Sequence, residues 1–524
     1  MSPGAFYHPK IGPEGQTDFI RRAEKAFRRT LKQPLQEAER IGEADITVGI
    51  PFYDEADTIG HVVETAKEGL ETFYPDKKCL ICCVGAPAGG KVLEMVQSIP
   101  LPEKLSRIAF LMRSPMTSGR GWALRAAMEI AERLGSDLVI LEADLLSKAG
   151  ENGVEGLSLE WLSLLLEPIR KEGVDLVLPR FNRHFFDFNA LVSNHLIRPL
   201  IASIYNLLVQ DPLGGELAIS SKLLKIYLEE LKGLAIDVEH YGADVWLLTE
   251  AITKGANISE ASLGIKLQKL SPGKQNIDLR EQAKIIFRQI SLSRDYWKRR
   301  GEAVCALKSF APKKAYRPVE VKFDLSTHIA RYRQGFNKFH SLYQEILAES
   351  TLRELKRLAE GKTTEFVFSS KLWSEIVYDF LLAFSFDGGF ARGDILNAFV
   401  PLYQGRVAGF AKPLSELEKE LKDLAPDKRE RLLTLWAEEE LEEQVEEFIR
   451  EKPAFLARWR GSEEEAKPPL PRVTYREFIP GVPLVLPQEL TSPMGETVNT
   501  DNIYKAILGR YQREFEEFVY ERLK

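Results

Sequence analysis

The chain lacks the features that mark membrane-spanning and secreted proteins. Its 524 residues contain no apolar run of the roughly 18 residues that suggest a membrane span. The nearest candidate, from Ile376 to Phe386, is too short and contains Asp379. The first residues also lack the basic segment followed by an apolar segment that a secretory signal requires. These absences predict a cytoplasmic protein with no membrane span.

Cysteine is scarce, with four residues in the whole chain. Cys79 and Cys82 form a C-x-x-C pattern, but no second Cys or His pair stands near enough in sequence to suggest a zinc site. The letters around them, LICCVG, are instead typical of a buried strand. A reducing compartment fits all four cysteines.

Neither sign of charge dominates the composition. The 71 basic and 77 acidic residues give a net charge of −6, so the whole chain has no attraction for nucleic acid, although a local basic pocket stays compatible with it. A hydrophobic content of 44% and a charged content of 28% are ordinary for a soluble globular enzyme. Because a single core stops growing at roughly 250–300 residues, we expect more than one domain.

Apolar runs and amphipathic helices alternate from residue 45 to about residue 180. The runs DITVGIP, KCLICCVG, RIAFLM, DLVILEAD and DLVLP predict strands, and the helical patterns between them cover Asp57–Thr72, Lys91–Ser98, Gly121–Leu134 and Leu159–Lys171. Continuous apolar strands separated by helices indicate a Rossmann-like α/β fold, a mainly parallel sheet with helices on both faces. Ligands of such sheets bind beyond the carboxyl ends of the strands.

The pattern predicts three regions. Residues 1–40 form an N-terminal helical arm, residues 41–315 form the α/β domain, and residues 316–524 form a mostly helical C-terminal domain. A proline-rich segment near 461–499 interrupts the last region and is expected to be extended. Assembly is the simplest role for the C-terminal helices, so we expect a homo-oligomer formed through them.

Glu142-Ala143-Asp144 directly follows the apolar run LVIL. A carboxylate at the carboxyl end of a strand can hold a divalent cation against a diphosphate, since hard cations take oxygen ligands and keep places open for phosphate. Taken alone the motif is weak, because carboxylates are also common in solvated loops.

Three further motifs stand at loop-to-element junctions. Ser118-Gly119-Arg120-Gly121 opens a helix, where backbone donors and an arginine can meet an anion. The paired glycines of Asp211–Glu216 let backbone approach a ligand closely, and Asp244 stands at a helix start after His240-Tyr241-Gly242-Ala243. Each alone also fits an ordinary turn or a helix cap.

Seven segments, taken in order, resemble the motif series of mannosylglycerate synthase and, more loosely, of the glucosyl-phosphoglycerate synthases. They are IPFYDE, SGRG, LEADL, RFNRHFFDFNALVSNHLIRP, DPLGGELAIS, HYGADVWLL and SLGIKLQKL. These families are retaining GT-A glycosyltransferases that make compatible solutes. The resemblance covers roughly residues 45–300, DPLGGEL being its most specific part, and it implies the GT-A form of the α/β fold.

The resemblance implies a donor site for a nucleotide diphosphate sugar. The implied nucleoside pocket, donor contacts and sugar contacts are, in chain order, Pro51, Phe52, Glu55, Arg120, Glu142, Asp144, Gly214, Gly215 and Glu216. Glu142 is expected to approach the ribose and Asp144 to ligate the metal. Asp244 matches a carboxylate beside the sugar and the acceptor, so Asp244 and Arg120 are the implied catalytic residues.

The resemblance also implies an acceptor loop and a cofactor. Arg183, Asp187 and Ser193 match the loop that holds glycerate, and a guanidinium suits a carboxylate acceptor because the two pair bidentately. Gln268 stands where the family has a histidine, so Asp144 and Gln268 are the expected ligands of Mg²⁺ or Mn²⁺. A neutral amide oxygen suits magnesium better than softer metals.

These implications predict a metal-dependent retaining transferase. It would move a hexose, mannose or glucose, from a nucleotide-sugar to a small acidic acceptor such as glycerate. The glycine-arginine signature that grips phosphoglycerate is missing around Leu191, which favours an unphosphorylated acceptor. Two alternatives stay open: a nucleotide-sugar sensor without turnover, suggested by Gln268, and a transferase for lipid or polysaccharide acceptors.

Overall fold

A computed structural model describes most of the chain. The described residues are 13–117, 119–150, 153–231, 242–269, 279–298, 303–310, 321, 323–386, 389–465, 489–491 and 497–499. Ser118, His240 and Tyr241 lie outside these ranges, and so does most of the proline-rich segment near 461–499.

The α/β region follows the alternation seen in the sequence. Its elements are α1 (Pro13–Ile41), β1 (Ile46–Phe52), α2 (Ile59–Phe73), β2 (Cys79–Gly85), α3 (Gly90–Ser98), β3 (Leu105–Leu111), α4 (Arg120–Leu134), β4 (Asp137–Ile140), β5 (Ser147–Gly150), β6 (Gly153–Gly156), α5 (Glu160–Glu172), β7 (Leu176–Phe181), α6 (Phe188–Val192), a π-helix (Ser193–Ile197), α7 (Arg198–Tyr205), β8 (Leu207–Leu208), β9 (Leu217–Ile219), α8 (Ser221–Leu231), α9 (Ala243–Thr253), β10 (Ile258–Gly264), α10 (Leu279–Leu292), α11 (Arg294–Trp297), β11 (Cys305–Ala306) and β12 (Lys308–Phe310).

The region after residue 320 is helical. It contains α12 (Leu325–Lys338), α13 (His340–Ile346), α14 (Glu349–Glu360), α15 (Ser370–Ser385), α16 (Arg392–Glu420) and α17 (Pro426–Glu465), followed by the short strands β13 (Glu489–Thr491) and β14 (Thr497–Asn499).

Eight strands form the main sheet, in the order β12-β10-β7-β9-β4-β1-β2-β3. All neighbours are parallel except β9, which runs antiparallel between β4 and β7. Gly49 of β1 lies opposite Ile140 of β4, so these strands end at the same edge of the sheet. The predicted fold class, a mainly parallel sheet followed by a helical C-terminal region, is therefore confirmed.

Helices cover both faces of the sheet. Ile46, Val48 and Ile50 of β1 belong to the core under α2, α3 and α5. Leu80 and Leu138, from β2 and β4, face α4 on the other side. This second core continues without a break through α9 and α10 into α15, α16 and α17. The C-terminal helices thus pack directly on the α/β region.

The N-terminal helix α1 packs on α4. The Phe27 and Trp122 rings lie 5.0 Å apart, and Arg125 bonds the Glu24 carboxylate at 2.8 and 3.0 Å. This contact explains why a charged helix that precedes the sheet stays on the domain, since its apolar stripe is buried.

Two smaller features concern the cysteines and the apolar content of the helices. Cys79, Cys82 and Cys83 lie in β2, are buried and form no disulfide, as the strand interpretation predicts. Among the described residues, no helix is both long and apolar enough to cross a membrane.

Candidate functional site

Two of the motifs meet at the carboxyl edge of β4. Glu142 and Asp144 follow β4, and Gly214–Glu216 lead into β9, whose Leu217 pairs with Ile140. Because β9 is antiparallel to β4, its first residues lie beside the last residues of β4. The structure thus brings both motifs to the edge where ligands of open α/β sheets bind.

Arg120 joins these motifs to Asp244. It is the first residue of α4, and its Nη1 donates to Asp244 Oδ1 at 2.9 Å while its Nη2 donates to the Gly215 carbonyl at 3.0 Å. The Glu142 carboxylate lies 3.4 Å from Nε. Burial by itself lowers the pKa of Arg120, but Asp244 and Glu142 outweigh it and raise the pKa. The guanidinium is therefore a fixed positive charge at the start of a helix.

Lys266 is a member of this cluster that sequence reasoning missed. Its buried Nζ lies 2.8 Å from Glu142 Oε2, 2.9 Å from Glu216 Oε2 and 2.7 Å from the Gly214 carbonyl oxygen. Burial lowers the pKa of the ammonium, and the two carboxylates raise it by more. A signal was present in the sequence. Lys266 stands two residues before Gln268 in an extended segment, and such residues face the same side.

The paired glycines are required by their surroundings. A side chain at Gly214 would overlap the Pro179 ring. Gly215 has a φ of +91°, and a Cβ there would lie 2.8 Å from the Glu142 carboxylate. Glycine therefore permits both the left-handed turn and the close approach of backbone to the charged cluster.

Two acids of the cluster are pushed toward their neutral forms. Burial raises the pKa of Asp244, with Arg120 opposing the shift, and burial likewise raises the pKa of Glu216, with Lys266 opposing it. Both carboxylates depend on these cations for their charge. The cluster therefore holds two positive groups, each paired with carboxylates and with a backbone carbonyl, and anionic oxygens of a ligand could replace the carboxylates.

Asp144 and Gln268, the two predicted metal ligands, lie within hydrogen-bond distance of each other. A β-bridge joins Leu145 and Gln268, and the Gln268 amide nitrogen donates to Asp144 Oδ1 at 3.0 Å and to Glu142 Oε2 at 2.7 Å. The amide thus presents its nitrogen, not its oxygen, to the carboxylates in this conformer. The described residues contain no cluster of three or more His, Cys, Asp or Glu of the kind that binds a metal ion.

The predicted nucleoside residues lie at the end of β1 and in the turn that follows it. Pro51 pairs with Val84 of β2, and the buried Phe52 ring fills the space beside Gly85 and Gly89. Glu55 accepts bonds from the Tyr53 and Asp54 amides at 2.5 and 3.1 Å, so its carboxylate closes its own turn. These contacts give Phe52 and Glu55 a role in shaping the loop.

Thr58 connects this turn to the acidic motif. Its hydroxyl donates to the Ala143 carbonyl at 2.7 Å, between Glu142 and Asp144. The loop after β1 and the loop after β4 are therefore held together at one edge of the sheet.

Arg183 lies beside this cluster with its own carboxylate partners. Its Nε donates to Asp211 at 2.7 Å, and its Nη1 lies 3.5 Å from Asp187. Arg183 and Lys266 both lie over the Phe181 ring, at 5.3 and 5.6 Å from its centroid. The buried Nη2 of Arg183 has no hydrogen-bond partner among the described residues. Asp211 thus holds the Nε side of the guanidinium, and Asp187 lies beside Nη1.

The other two predicted acceptor residues have different surroundings. Asp187 is the N-cap of α6, accepting from the Ala190 amide at 3.0 Å. Ser193 opens the π-helix and is buried, and its hydroxyl has no hydrogen-bond partner among the described residues. A π turn inside a helix is rare and is frequent at functional sites.

No family model and no curated protein match the chain. Solved structures with a similar fold include glucosyl-3-phosphoglycerate synthase from Mycobacterium tuberculosis in complex with Mn²⁺, uridine diphosphate and phosphoglyceric acid. It is 20% identical with a TM-score of 0.34, and the match covers 49% of this chain and 81% of that one. Another is mannosyl-3-phosphoglycerate synthase from Rubrobacter xylanophilus, 17% identical with a TM-score of 0.34, covering 52% and 83%. The matches span about half of this chain.

Proposed function

We propose that the chain is a glycosyltransferase that moves a hexose from a nucleotide diphosphate sugar to a small acidic acceptor. One observation supports this most: two cations, the partly buried Arg120 and the buried Lys266 side chain, converge with Glu142 and Asp144 at the carboxyl edge of β4. A diphosphate leaving group needs fixed positive charge at this kind of position, because charge develops on it as the bond to the sugar breaks.

Arg120 and Lys266 are the groups that would stabilise the leaving diphosphate. Arg120 adds its charge to the N-terminus of α4, a helix of 15 residues whose first amides also favour anions. Lys266 is bonded to Glu142 and to the Gly214 carbonyl, so it also holds the glycine turn against the acidic motif. The sugar would lie beside Gly214–Glu216, where only glycine allows backbone so near.

The donor set is compatible with a divalent cation. Magnesium and manganese sites in such enzymes use one or two carboxylates plus substrate phosphates, and Asp144 supplies one carboxylate. Gln268 would supply a carbonyl oxygen after rotation of its amide, whose nitrogen now contacts Asp144. When bound, the cation would act as a Lewis acid that neutralises charge on the diphosphate.

The surroundings of Arg183 support an acidic acceptor. Asp211 holds the Nε side of Arg183, and Nη2 together with the loosely paired Nη1 leaves a two-donor edge that fits a carboxylate. An acceptor acid would replace Asp187 on that edge. Glycerate has this carboxylate and a hydroxyl beside it.

No protein nucleophile is required for retention. In the proposed step the acceptor hydroxyl attacks the anomeric carbon on the face from which the diphosphate leaves. The bond from that carbon to the phosphate oxygen breaks, and the departing diphosphate takes the hydroxyl proton. Asp244 stays ion-paired with Arg120 at 2.9 Å and orients it.

Turnover of a donor panel tests the proposal. GDP-mannose, UDP-glucose and related donors are incubated with glycerate and the full chain, with Mg²⁺, Mn²⁺ or chelator. We expect transfer from one donor, lost with chelator. If nucleotides raise the melting temperature but no donor is consumed, the alternative of a nucleotide-sugar sensor replaces the enzyme. If sugar is transferred only to a lipid or a polysaccharide, the assignment of a small acidic acceptor is wrong. Cytoplasmic location and a homo-oligomer through the C-terminal helices stay predictions.

A further inference from the structure

The C-terminal helices contact the part of the chain that carries the predicted acceptor residues. We call residues 182–197 the acceptor segment. Gln444 of α17 donates from Nε2 to the Asn194 carbonyl at 2.7 Å, and its Oε1 lies 2.9 Å from Nδ1 of His195. Trp373 of α15 donates to the His195 carbonyl at 2.6 Å. Two helices that lie far from the acceptor segment in sequence, α15 and α17, therefore form hydrogen bonds to the same turn of it.

These bonds form inside the π-helix. Asn194 and His195 are its second and third residues, and both of their carbonyls accept from C-terminal side chains. Such a turn departs from α-helical bonding, so donors from outside the helix help to satisfy its backbone. Ser193 opens the same turn. Its orientation therefore depends on the helices that hold Asn194 and His195.

A buried arginine fixes the glutamine. Nε of Arg406, in α16, donates to Gln444 Oε1 at 2.7 Å. The other guanidinium nitrogens donate to the Phe368 carbonyl at 2.9 Å, the Ser370 hydroxyl at 2.8 Å and the Glu440 carboxylate at 3.0 Å. Gln444 therefore has one allowed orientation, with its nitrogen toward the π-helix. Because Arg406 and Gln444 are each bonded to several partners, this largely buried network restricts the motion of the Gln444 side chain.

Aromatic contacts extend the support to the other end of the acceptor segment. Phe186, next to Asp187, stacks on Phe323 with centroids 4.3 Å apart and meets the edge of Phe410 at 6.2 Å. Phe410 of α16 also contacts the His195 ring at 4.9 Å. One residue of the C-terminal region thus touches the segment near both Asp187 and Ser193.

We propose that Gln444, Trp373 and Phe410 are positioning residues that hold the acceptor segment in its binding geometry. This inference rests on the proposed function, since it assigns the segment to the acceptor. The C-terminal region then serves acceptor recognition within one chain. We call the group around the acidic motif the donor cluster: Arg120, Glu142, Asp144, Asp244, Lys266 and Gln268. Its hydrogen bonds described above, in contrast, join residues between positions 120 and 268.

Two identical substitutions separate positioning from general stability. Trp373→Phe removes the bond to the π-helix, whereas Trp297→Phe removes an equally buried bond, from Trp297 Nε1 to the Ile290 carbonyl at 2.8 Å, that does not involve the segment. Both variants of the full chain are assayed for the KM of acceptor and of donor. We expect Trp373→Phe to raise the acceptor KM by about tenfold, because displaced binding groups lose alignment, with donor KM within about twofold. Trp297→Phe should leave both KM values near wild type.

Hydrogen–deuterium exchange gives a readout that needs no activity. Amides of residues 182–197 should exchange faster in Trp373→Phe than in Trp297→Phe, with unchanged exchange in 120–134. If Trp373→Phe does not fold, Phe410→Leu is measured in the same way. Equal exchange in the variant and its control, or equal losses in donor and acceptor KM, would overturn the inference. If the wild type transfers no sugar, the proposed function fails, and the exchange comparison alone decides whether the helices hold the segment.

Discussion

The donor cluster and the acceptor segment are built in different ways. Arg120, Glu142, Lys266 and Asp244 contact one another directly at the edge of the sheet, through ion pairs of 2.8–3.4 Å. The acceptor segment has one internal ion pair of that kind, between Arg183 and Asp187, and its backbone is held by side chains up to 250 residues later. Ion pairs therefore fix the geometry of the donor cluster, whereas packing against the C-terminal helices fixes the geometry of the acceptor segment.

The largest effect is expected from the acidic motif. Asp144→Asn removes the carboxylate that would hold the cation, so turnover should be abolished, because the activation barrier would rise by several kcal/mol. Nucleotide-sugar turnover with saturating Mg²⁺ measures this. Glu172→Gln, which alters an exposed ion pair with Lys308, is the control and should be fully active. Full activity of Asp144→Asn, together with turnover in chelator, would contradict a metal mechanism.

The next effect concerns stability of the donor cluster. Lys266→Met leaves Glu142 and Glu216 without their buried cation, and breaking a buried pair costs on the order of 3–5 kcal/mol. Urea unfolding should show this loss. Lys222→Met removes an exposed lysine paired with Asp175 and should cost about 1 kcal/mol or less. Equal losses in the two variants would mean that Lys266 is not held as described.

Arg183→Ala tests the acceptor side alone. Loss of a charged hydrogen-bonding partner, worth roughly 1.5–3 kcal/mol, should raise the KM for glycerate by about thirtyfold while donor KM stays nearly constant. Arg183→Lys keeps the charge but loses the two-donor edge, and should recover only part of the loss. Weakened nucleotide binding with unchanged acceptor kinetics would refute the assignment.

The smallest effect is a pH dependence that belongs to the acceptor segment. Burial, with Arg406 nearby, lowers the pKa of His195 from its ordinary value of 6.5 to about 3. Between these values the unfolded chain binds one more proton than the folded chain. The stability from this group is therefore complete above pH 6.5 and falls as the pH drops, by up to about 1.4 kcal/mol per unit.

Unfolding free energies measured from pH 7.5 to pH 5 check this sign. His195→Gln should flatten the decline at acid pH. His61→Gln, which alters a surface histidine bonded to Ser147, should leave the slope as in the wild type. A steeper decline in His195→Gln would show that the histidine is charged in the folded protein.

The sheet was readable from sequence because each strand is a local pattern. DITVGIP and KCLICCVG became β1 and β2 within one or two residues of their bounds. The run DLVILEAD is a strand only as far as Ile140, so Glu142 and Asp144 stand in the loop, as a binding motif requires. The antiparallel β9 has three residues, too few to leave a period in the sequence.

Contacts between residues far apart in sequence could not be predicted from local sequence patterns. Lys266 contacts Glu142 across 124 positions. Its spacing from Gln268 indicates which side of the segment it faces, but not which carboxylate it pairs with. The Gln268 amide was expected to offer oxygen to a metal, whereas it donates from nitrogen to Asp144, because Glu142 and Asp144 are the acceptors beside it. In the sequence Gln444 and Trp373 look like ordinary helix residues. Their role depends on their hydrogen bonds to the π-helix, which the local sequence does not indicate.

A crystal structure with a nucleoside diphosphate and Mg²⁺ tests the central claim most directly. The account predicts the diphosphate within hydrogen-bond distance of Arg120 and Lys266, the cation on Asp144, and the base near Phe52 and Glu55. Glu142 should then have lost at least one of its cationic partners to the phosphate. A diphosphate bound away from Arg120 and Lys266, or a cation that does not touch Asp144, would contradict the assignment of this cluster as the donor site.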